Sequence, residues 1–450
     1  MSAKKRQLAL NLFVTRHGHY PGAWRNSGTP GGGNPDFAYL ASIVQLAERA
    51  KFDAAFFADF VAQGGVNTDR IERNPPSFTG FEPLTVAGAL ASVTKHIGLV
   101  ATVNTNFNEP LNLARRLASL DHLSGGRIGW NVVSQLPEGA IRAFGVDDVL
   151  EHSARYERAG EFIELSKKLW DSWDDGAFDH ADKASGIYLD RRAVHPTHHH
   201  GKYFKVDAIL EIPRPIQGYP VIFQAGNSDT GREFAAKYAE AIYASAQTLE
   251  DAQAYYADVK RRLAKYGRAD DDLKVLPGLS FAIGGSKAEA EDKFASIQSL
   301  IEFDSGTISL GGHDLSAYPL DGPLPDLPEP DNGKGRWLQL VTLARRENLT
   351  IRQLVLRFSA LRGHRVVIGT AAEIADQLED WFVNKGADGY NLIPPLMPSS
   401  FEEFIAQVVP ELQRRGLFRT EYEGETFREN LGLARPVNQH AAQAGVVAAE

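Results

Sequence analysis

Three observations predict an α/β fold, specifically a TIM-like (β/α)8 barrel with insertions. Short apolar runs alternate with amphipathic helical patterns at intervals of about 40 residues, the rhythm of repeated right-handed βα units. Eight such runs can be counted, opening at Leu8, Asp53, Ile97, Arg127, Val221, Ala241, Leu273 and Asp388. The 450-residue chain exceeds what a bare barrel needs, and the surplus falls in stretches rich in Pro, Gly and Asp.

In order, Leu8–Val14 is the first strand, and its end opens into Arg16-His17-Gly18-His19-Tyr20 and a Gly/Pro loop through Pro35. A helix follows over Phe37–Ala50, with Leu40, Ile43, Val44 and Ala47 on one face. The second strand, Asp53–Ala58, runs into Asp59 and a polar loop over 60–82 that is long for a compact domain unless it covers something. Leu84–Val93 is helical, and the third strand, Ile97–Thr102, leads to Asn104 and Thr105. A helix through Leu111–Leu120 precedes the Gly125-Gly126 turn and the fourth strand, Arg127–Val133.

Glu151–Leu169 is a long helix, and 171–218 is a loop-rich insertion with Tyr203–Leu210 as a hairpin arm. Val221-Ile222-Phe223 is the fifth strand, Ala241-Ile242-Tyr243 the sixth and Leu273–Ile283 the seventh, with helices between them. Residues 303–335 contain DGPLPDLPEPDNGKG, whose Pro and Asp content predicts a mobile lid within a larger insertion, 303–364. Val366–Thr370 leads into a helix, and Asp388–Ile393 is the eighth strand. One domain therefore spans 1–435, and the patternless tail 436–450 is expected to be disordered.

Composition narrows the function. Net charge is −9 with no run of five like charges, which disfavours nucleic acid and anionic membrane as partners. There is no Cys, so disulfides, thiolate metal sites and Cys nucleophiles are excluded. The basic N-terminus has too short an apolar run for a signal peptide, and no stretch approaches a membrane span, so a cytoplasmic enzyme is expected. His195 and His198-His199-His200 lack patterned carboxylates, and no metal is expected. No G-x-G-x-x-G marks a nicotinamide site.

The most informative stretch is Pro220–Tyr243, PVIFQAGNSDTGREFAAKYAEAIY. A strand, a polar turn at Gly226-Asn227-Ser228-Asp229 and a helix beginning near Arg232 form a ready anion site. Free amides, the helix dipole and the Ser228 hydroxyl all favour negative charge there. Polar residues at the other strand ends are His17 and His19, Asp59, Asn104 and Thr105, and Asn131 and Ser134; His152 and Tyr156 share one helical face and can point donors at the same anion. From the residues alone, each is equally well a satisfied rim residue.

Three segments, LARRLASLDHLSGGRIGWNVVS, HHHGKYFKVDAILEIPRPIQGYPVIFQAGNSDTG and VVPELQRRGLFRTEYEGETFRENLGL, resemble the bacterial luciferase-like flavin monooxygenases, in the branch of nitrilotriacetate, EDTA and dibenzothiophene-sulfone monooxygenases. The likeness covers about Leu8 to Leu433. It implies a two-component reaction. An NAD(P)H:flavin reductase supplies FMNH2, a flavin C4a-hydroperoxide forms with O2, and one oxygen atom enters a small organic substrate.

The resemblance assigns FMN contacts to Asp59, Asn104 or Thr105, Asn131, His152, Tyr156 and Ser228, with the phosphate at the Gly226–Ser228 turn. Asn227 departs from a frequent Ser, and Asn104-Thr105-Asn106 from a Ser/Thr-rich turn. His19 and His313 match positions on the substrate side and are the expected catalytic pair, with Trp24 and Phe57 as apolar wall. A homodimer or homotetramer is implied. A non-catalytic flavin-binding barrel and a deazaflavin-dependent oxidoreductase are the alternatives. Arg16 and Arg25 are the cations available to an acidic substrate, but Pro, Leu and Tyr318 in the lid favour an organosulfur, aromatic or amine one.

Overall fold

The computed structural model describes residues 6–62, 80–135, 138–146, 150–179, 181–303, 309–310, 313–329, 334–358 and 364–441. Thirteen strands occur among them: β1 Ala9–Phe13, β2 Ala54–Phe57, β3 Gly98–Asn104, β4 Ile128–Val133, β5 Thr197–His200, β6 Lys205–Ala208, β7 Val221–Gln224, β8 Ala241–Ala244, β9 Lys274–Ile283, β10 Ser309–Leu310, β11 His313–Asp314, β12 Arg365–Gly369 and β13 Gly389–Leu392. The order β9-β13-β1-β2-β3-β4-β7-β8, closed by β8 on β9, is an all-parallel barrel of the eight strands expected.

Alternation along each strand sorts the side chains. Leu8, Leu10, Leu12 and Val14, with Ala55 and Phe57, Leu99 and Ala101, and Ile128 and Trp130, pack outward against the helices. Ala9, Ala54, Phe56, Val100, Val221, Phe223, Ala241, Tyr243 and Leu276 fill the lumen. Phe57 therefore belongs to the helix layer and cannot wall a pocket; Phe56 and Phe13 hold the inward positions of strands two and one.

The C-terminal segment closes the lower end. Phe427, Leu431 and Leu433 enter the lumen cluster from below. Around them, carboxylates just before the strands accept the next strand's amide and pair with a cation. Asp53 accepts from the Leu10 N–H at 2.7 Å and meets Arg419 at 2.6 Å. Asp388 accepts from the Val275 N–H at 2.9 Å and meets Arg6 at 2.7 Å and Lys260 at 3.0 Å. Glu240 accepts from Ile222 and pairs with Arg428. Burial raises the Asp53 pKa despite Arg419, whereas at Asp388 the same burial penalty is outweighed by Lys260, the Val275 amide and Arg6. In a barrel this end serves stability.

Three sequence expectations change. Val366–Gly369 is a strand in its own right: β12 pairs in parallel with Leu279–Ile283, beyond the point where β8 leaves β9. The tail is not free from Pro436 on. Its described part is fastened by Arg214 to the Pro436 carbonyl at 2.9 Å and by the Gln439 amide to Asp171 at 3.0 Å, with Asn438 buried. The lid region has a core of its own, built by Leu315, Trp337, Leu340, Leu343, Ile351 and Leu354. Most of the expected loop 60–82, namely 63–79, and parts of the lid and tail lie outside the described residues.

The 171–218 insertion contains the expected hairpin as β5 and β6. It also absorbs the histidines: His198 and His200 both bond Asp207, and His199 bonds Glu161 at 3.0 Å. No group of three or more metal-ligating side chains occurs among the described residues. No described helix is long and apolar enough to cross a membrane.

Candidate active site

The site is built from the upper ends of the strands, where the anion seat after β7 is the best-defined part. Gly226 is buried, and a Cβ there would lie 2.4 Å from the Gln224 Nε2 and 3.0 Å from the Gly231 backbone, so a side chain would crowd the turn against the helix it opens. Ser228 caps the helix Asp229–Tyr238, its Oγ accepting from the Gly231 N–H at 3.1 Å. The same side chain is exposed, so its hydroxyl proton remains available to a ligand.

A second helix, His152–Trp170, starts beside the first. The Tyr156 hydroxyl meets the side chains of Ser228, Ser134 and Gln224, and burial pushes its pKa up, keeping it a neutral donor. The His152 ring sits edge-on to Tyr156 at 5.1 Å, and Tyr156 packs edge-on to Phe234 at 5.2 Å. The Arg155 charge is felt at Tyr156. Two helix N-termini, two hydroxyls, an imidazole and a guanidinium thus gather where an anion gains from each. Gln224 and Arg155 escaped sequence reasoning. Arg155 shares the first helical turn with His152, a usable signal; Gln224 lies on a strand read only as apolar.

Deeper in the mouth, Asn131 donates its Nδ2 to the Thr102 Oγ1 at 3.0 Å. Its Oδ1 is buried and lacks an acceptor's partner among the described residues, as do the Oδ1 atoms of Asn11 and Asn391 and the Ser280 Oγ. Such orphaned groups are costly in a finished core and expected in a site awaiting a polar ligand. Asp59, past β2, is half-buried; burial and the nearby Glu82 push its pKa up to about 6. Donors at Ser228 and Tyr156 and an unpartnered acceptor at Asn131 are the chemistry a flavin mononucleotide would need.

Two expected contacts are committed elsewhere. The Asn104 side chain accepts from the Asn106 N–H at 2.8 Å and donates to the Gln135 carbonyl at 2.6 Å. Thr105 is fully buried and donates to the Val133 carbonyl at 3.3 Å. Both shape the rim loop rather than present free donors to a ligand. His19 follows β1, where its ring meets Phe13 edge-on at 4.3 Å and its amide is held by the Pro394 carbonyl at 3.0 Å. His313 lies in β11 within the insertion, its Nε2 on the Pro328 carbonyl at 2.9 Å and its ring on Trp337 at 5.6 Å. Trp24 is 42% exposed.

The insertion reaches the mouth beside His19. Tyr20, Ile393 and Leu396 form one apolar cluster with Phe303 and Leu356, and Phe303 also packs on the insertion's own core.

A parallel barrel with polar side chains and two helix N-termini gathered at the upper rim has the architecture of a barrel enzyme, whose chemistry sits at that end. Residues 19–389 match the model of the luciferase-like monooxygenase family, and the chain belongs to that family. It is 46% identical to nitrilotriacetate monooxygenase component A of Aminobacter aminovorans, over 98% of this chain and 99% of that protein. It is 42% identical to N-acetyl-S-(2-succino)cysteine monooxygenase of Bacillus subtilis, over 98% and 100%. Among solved structures, a riboflavin lyase with modified FMN and riboflavin superimposes with a TM-score of 0.83 at 31% identity, covering 96% of this chain and 97% of that one. The protein is an oxygenase with a flavin cofactor.

Proposed function

We propose that this protein is the oxygenase component of a two-component monooxygenase that uses FMNH2 from a separate reductase, and O2, to oxygenate a small organic substrate. The carrying observation is the meeting of the Tyr156 hydroxyl with Ser228 at the start of the helix Asp229–Tyr238, a seat shaped for a phosphoryl group. When bound, reduced FMN supplies the electrons that activate O2, one oxygen atom entering the substrate and the other leaving as water.

The chain's own part is to hold, orient and shield. Ser228, Tyr156, His152 and the helix amides would hold the phosphate, and the unpartnered Asn131 Oδ1 would be free to accept from the flavin. The insertion, anchored by Tyr20 and Phe303, covers the mouth and excludes water. His19 and His313 face the substrate, where an imidazole can donate or accept a proton near neutral pH.

The experiment titrates FMN and riboflavin into the wild type and Ser228→Ala, then supplies chemically reduced FMN and air. The seat requires FMN to bind tighter than riboflavin in the wild type, with that preference reduced about tenfold or more in the variant, the size of a lost charge-assisted hydrogen bond. Equal binding of the two flavins, or no O2 consumption by the reduced complex, overturns the reading.

A further inference from the structure

We propose that Arg16 is the substrate's anchor and that the substrate carries a carboxylate which this guanidinium binds; the proposal deepens the oxygenase reading above and rests on it.

The observation is a half-buried guanidinium with two buried, unpartnered nitrogens. The Arg16 Nε and Nη1 are both buried and have no hydrogen-bond partner among the described residues. They belong to the two different donor edges of the guanidinium, so either edge can receive a carboxylate side-on or end-on. A cation taken from water without a partner is costly, and proteins otherwise avoid it.

Other buried or half-buried arginines of this chain are held by carboxylates or carbonyls. Arg214 pairs with Asp171 at 2.7 Å and Asp175 at 3.0 Å. Arg428 pairs with Glu240, and Arg419 with Asp53. Arg127 donates to four backbone carbonyls and the Thr94 hydroxyl. Arg25, the other cation near this strand end, is used by Glu302 at 3.2 Å and the Leu300 carbonyl at 3.0 Å. Among the described arginines, Arg365, Arg419 and Arg428 each leave one buried nitrogen without a partner and Arg16 alone leaves two, in a protein whose net charge is −9.

Its position is fixed. Arg16 lies three residues past β1, and its neighbours in the segment are tied down. The Arg16 carbonyl accepts from the Tyr39 hydroxyl at 3.1 Å, the His17 carbonyl from the Met397 N–H at 2.9 Å, and the Thr15 Oγ1 from the Gly18 N–H at 3.1 Å. Gly18 adopts φ +113, and a Cβ on it would sit 2.2 Å from the Pro395 carbonyl oxygen, so the turn leaves no slack. A donor held this rigidly loses little entropy on binding. The Arg16 charge also reaches His17, whose pKa burial first and Arg16 second push down. His19 lies three residues on, past the same strand end.

The sequence reading favoured an organosulfur, aromatic or amine substrate from the lid's Pro, Leu and Tyr318. The unmatched guanidinium argues for a carboxylate at one end of the molecule, leaving an apolar remainder for the lid.

The test uses the FMN-bound protein and three probes, nitrilotriacetate, succinate and the neutral succinamide, titrated by calorimetry into the wild type, Arg16→Gln and Arg16→Lys. Binding of at least one acid, rejection of the amide and an affinity loss of about tenfold or more in Arg16→Gln, partly restored in Arg16→Lys, are expected. Affinity should also fall as salt rises. An acid that binds Arg16→Gln as well as the wild type, an amide that binds as well as its acid, or no acid binding at all overturns the proposal. FMN affinity of the same proteins separates the two readings: if FMN binds and no acid does, the anchor fails while the flavin seat stands.

Discussion

The Tyr20 hydroxyl donates to the Leu356 carbonyl at 3.1 Å, a bond between the exit of β1 and an insertion helix 336 residues later. Tyr20 is buried and packs edge-on to Phe294 at 5.9 Å, so this contact joins the barrel mouth to the insertion through one side chain. Tyr20→Phe keeps the packing and removes the bond. Stability should fall by about 1 kcal/mol, the net worth of one hydrogen bond. Hydrogen exchange should rise selectively over Ile351–Phe358, and hydrogen peroxide should leak during turnover. Unchanged exchange in that helix would show that the apolar cluster alone seats the insertion.

Tyr156→Phe deletes a hydroxyl that meets Ser228, Ser134 and Gln224. On the proposed reading FMN should bind about tenfold more weakly and riboflavin about equally, because the lost donor would serve the phosphoryl group. Flavin fluorescence quenching measures both. A parallel loss for riboflavin would place the hydroxyl against the ring instead.

Asp59 gives a pH signature. Its pKa stands at about 6, raised above the ordinary 3.8 by burial and then by Glu82. The folded state therefore disfavours the charged form, and this penalty grows as pH rises from about 4 to about 6 and then stays constant. Asp59→Asn removes it. The variant's Tm should exceed that of the wild type at pH 7.5, and the difference should vanish by pH 3.5–4, where both chains carry a neutral group. A Tm difference independent of pH would locate the effect in packing.

Arg214 and Asp171 are almost wholly buried and joined at 2.7 Å, and Asp171 also holds the Tyr219 hydroxyl at 2.5 Å and the Gln439 amide. Arg214→Ala strands the carboxylate. Unfolding free energy should drop by about 3–5 kcal/mol, as for other broken buried pairs. Limited proteolysis should release the segment after Pro436 before the barrel is cut. Retention of the tail would mean that Asn438, on the Trp173 carbonyl, suffices to hold it.

The barrel was legible because its signal is local and repeated. Each run such as Ile97–Thr102 buries both faces, and strand ends shifted by only a residue or two in the structure, as with Leu8–Val14 against Ala9–Phe13. β12 was not legible. Val366–Gly369 is a short apolar run before a helix, and only its pairing with Leu279–Ile283, some way back in the chain, makes it a strand. The tail failed for a similar reason: nothing in Pro436–Gln439 signals that a buried Asp171 lies waiting for it.

The anion seat shows the same division. Gly226–Ser228 and its helix are contiguous, so the strand-turn-helix pattern could be read directly. Tyr156 was a candidate through its spacing from His152, but its approach to Ser228 depends on how two helices pack. Asn104 and Thr105 were placed at the correct strand end. Their commitment to Gln135 and Val133 depends on the conformation of a neighbouring loop, which residue type does not encode.

Because β12 lies along the upper half of β9, with Ile283 opposite Gly369 and the Gly284 N–H on the Gly369 carbonyl at 3.2 Å, residues 284–364 leave one strand and come back to it. Ring closure, made lower down by β8 on Lys274–Pro277, takes no part in that excursion. The arrangement works like a socket: whatever is plugged between the two strands can be lengthened, shortened or exchanged with that of a sister protein while the cylinder beneath stays shut. Chimaeras cut at Gly284 and His364 should therefore fold, and would carry the chemical preference of the donor's cap on an unaltered flavin holder.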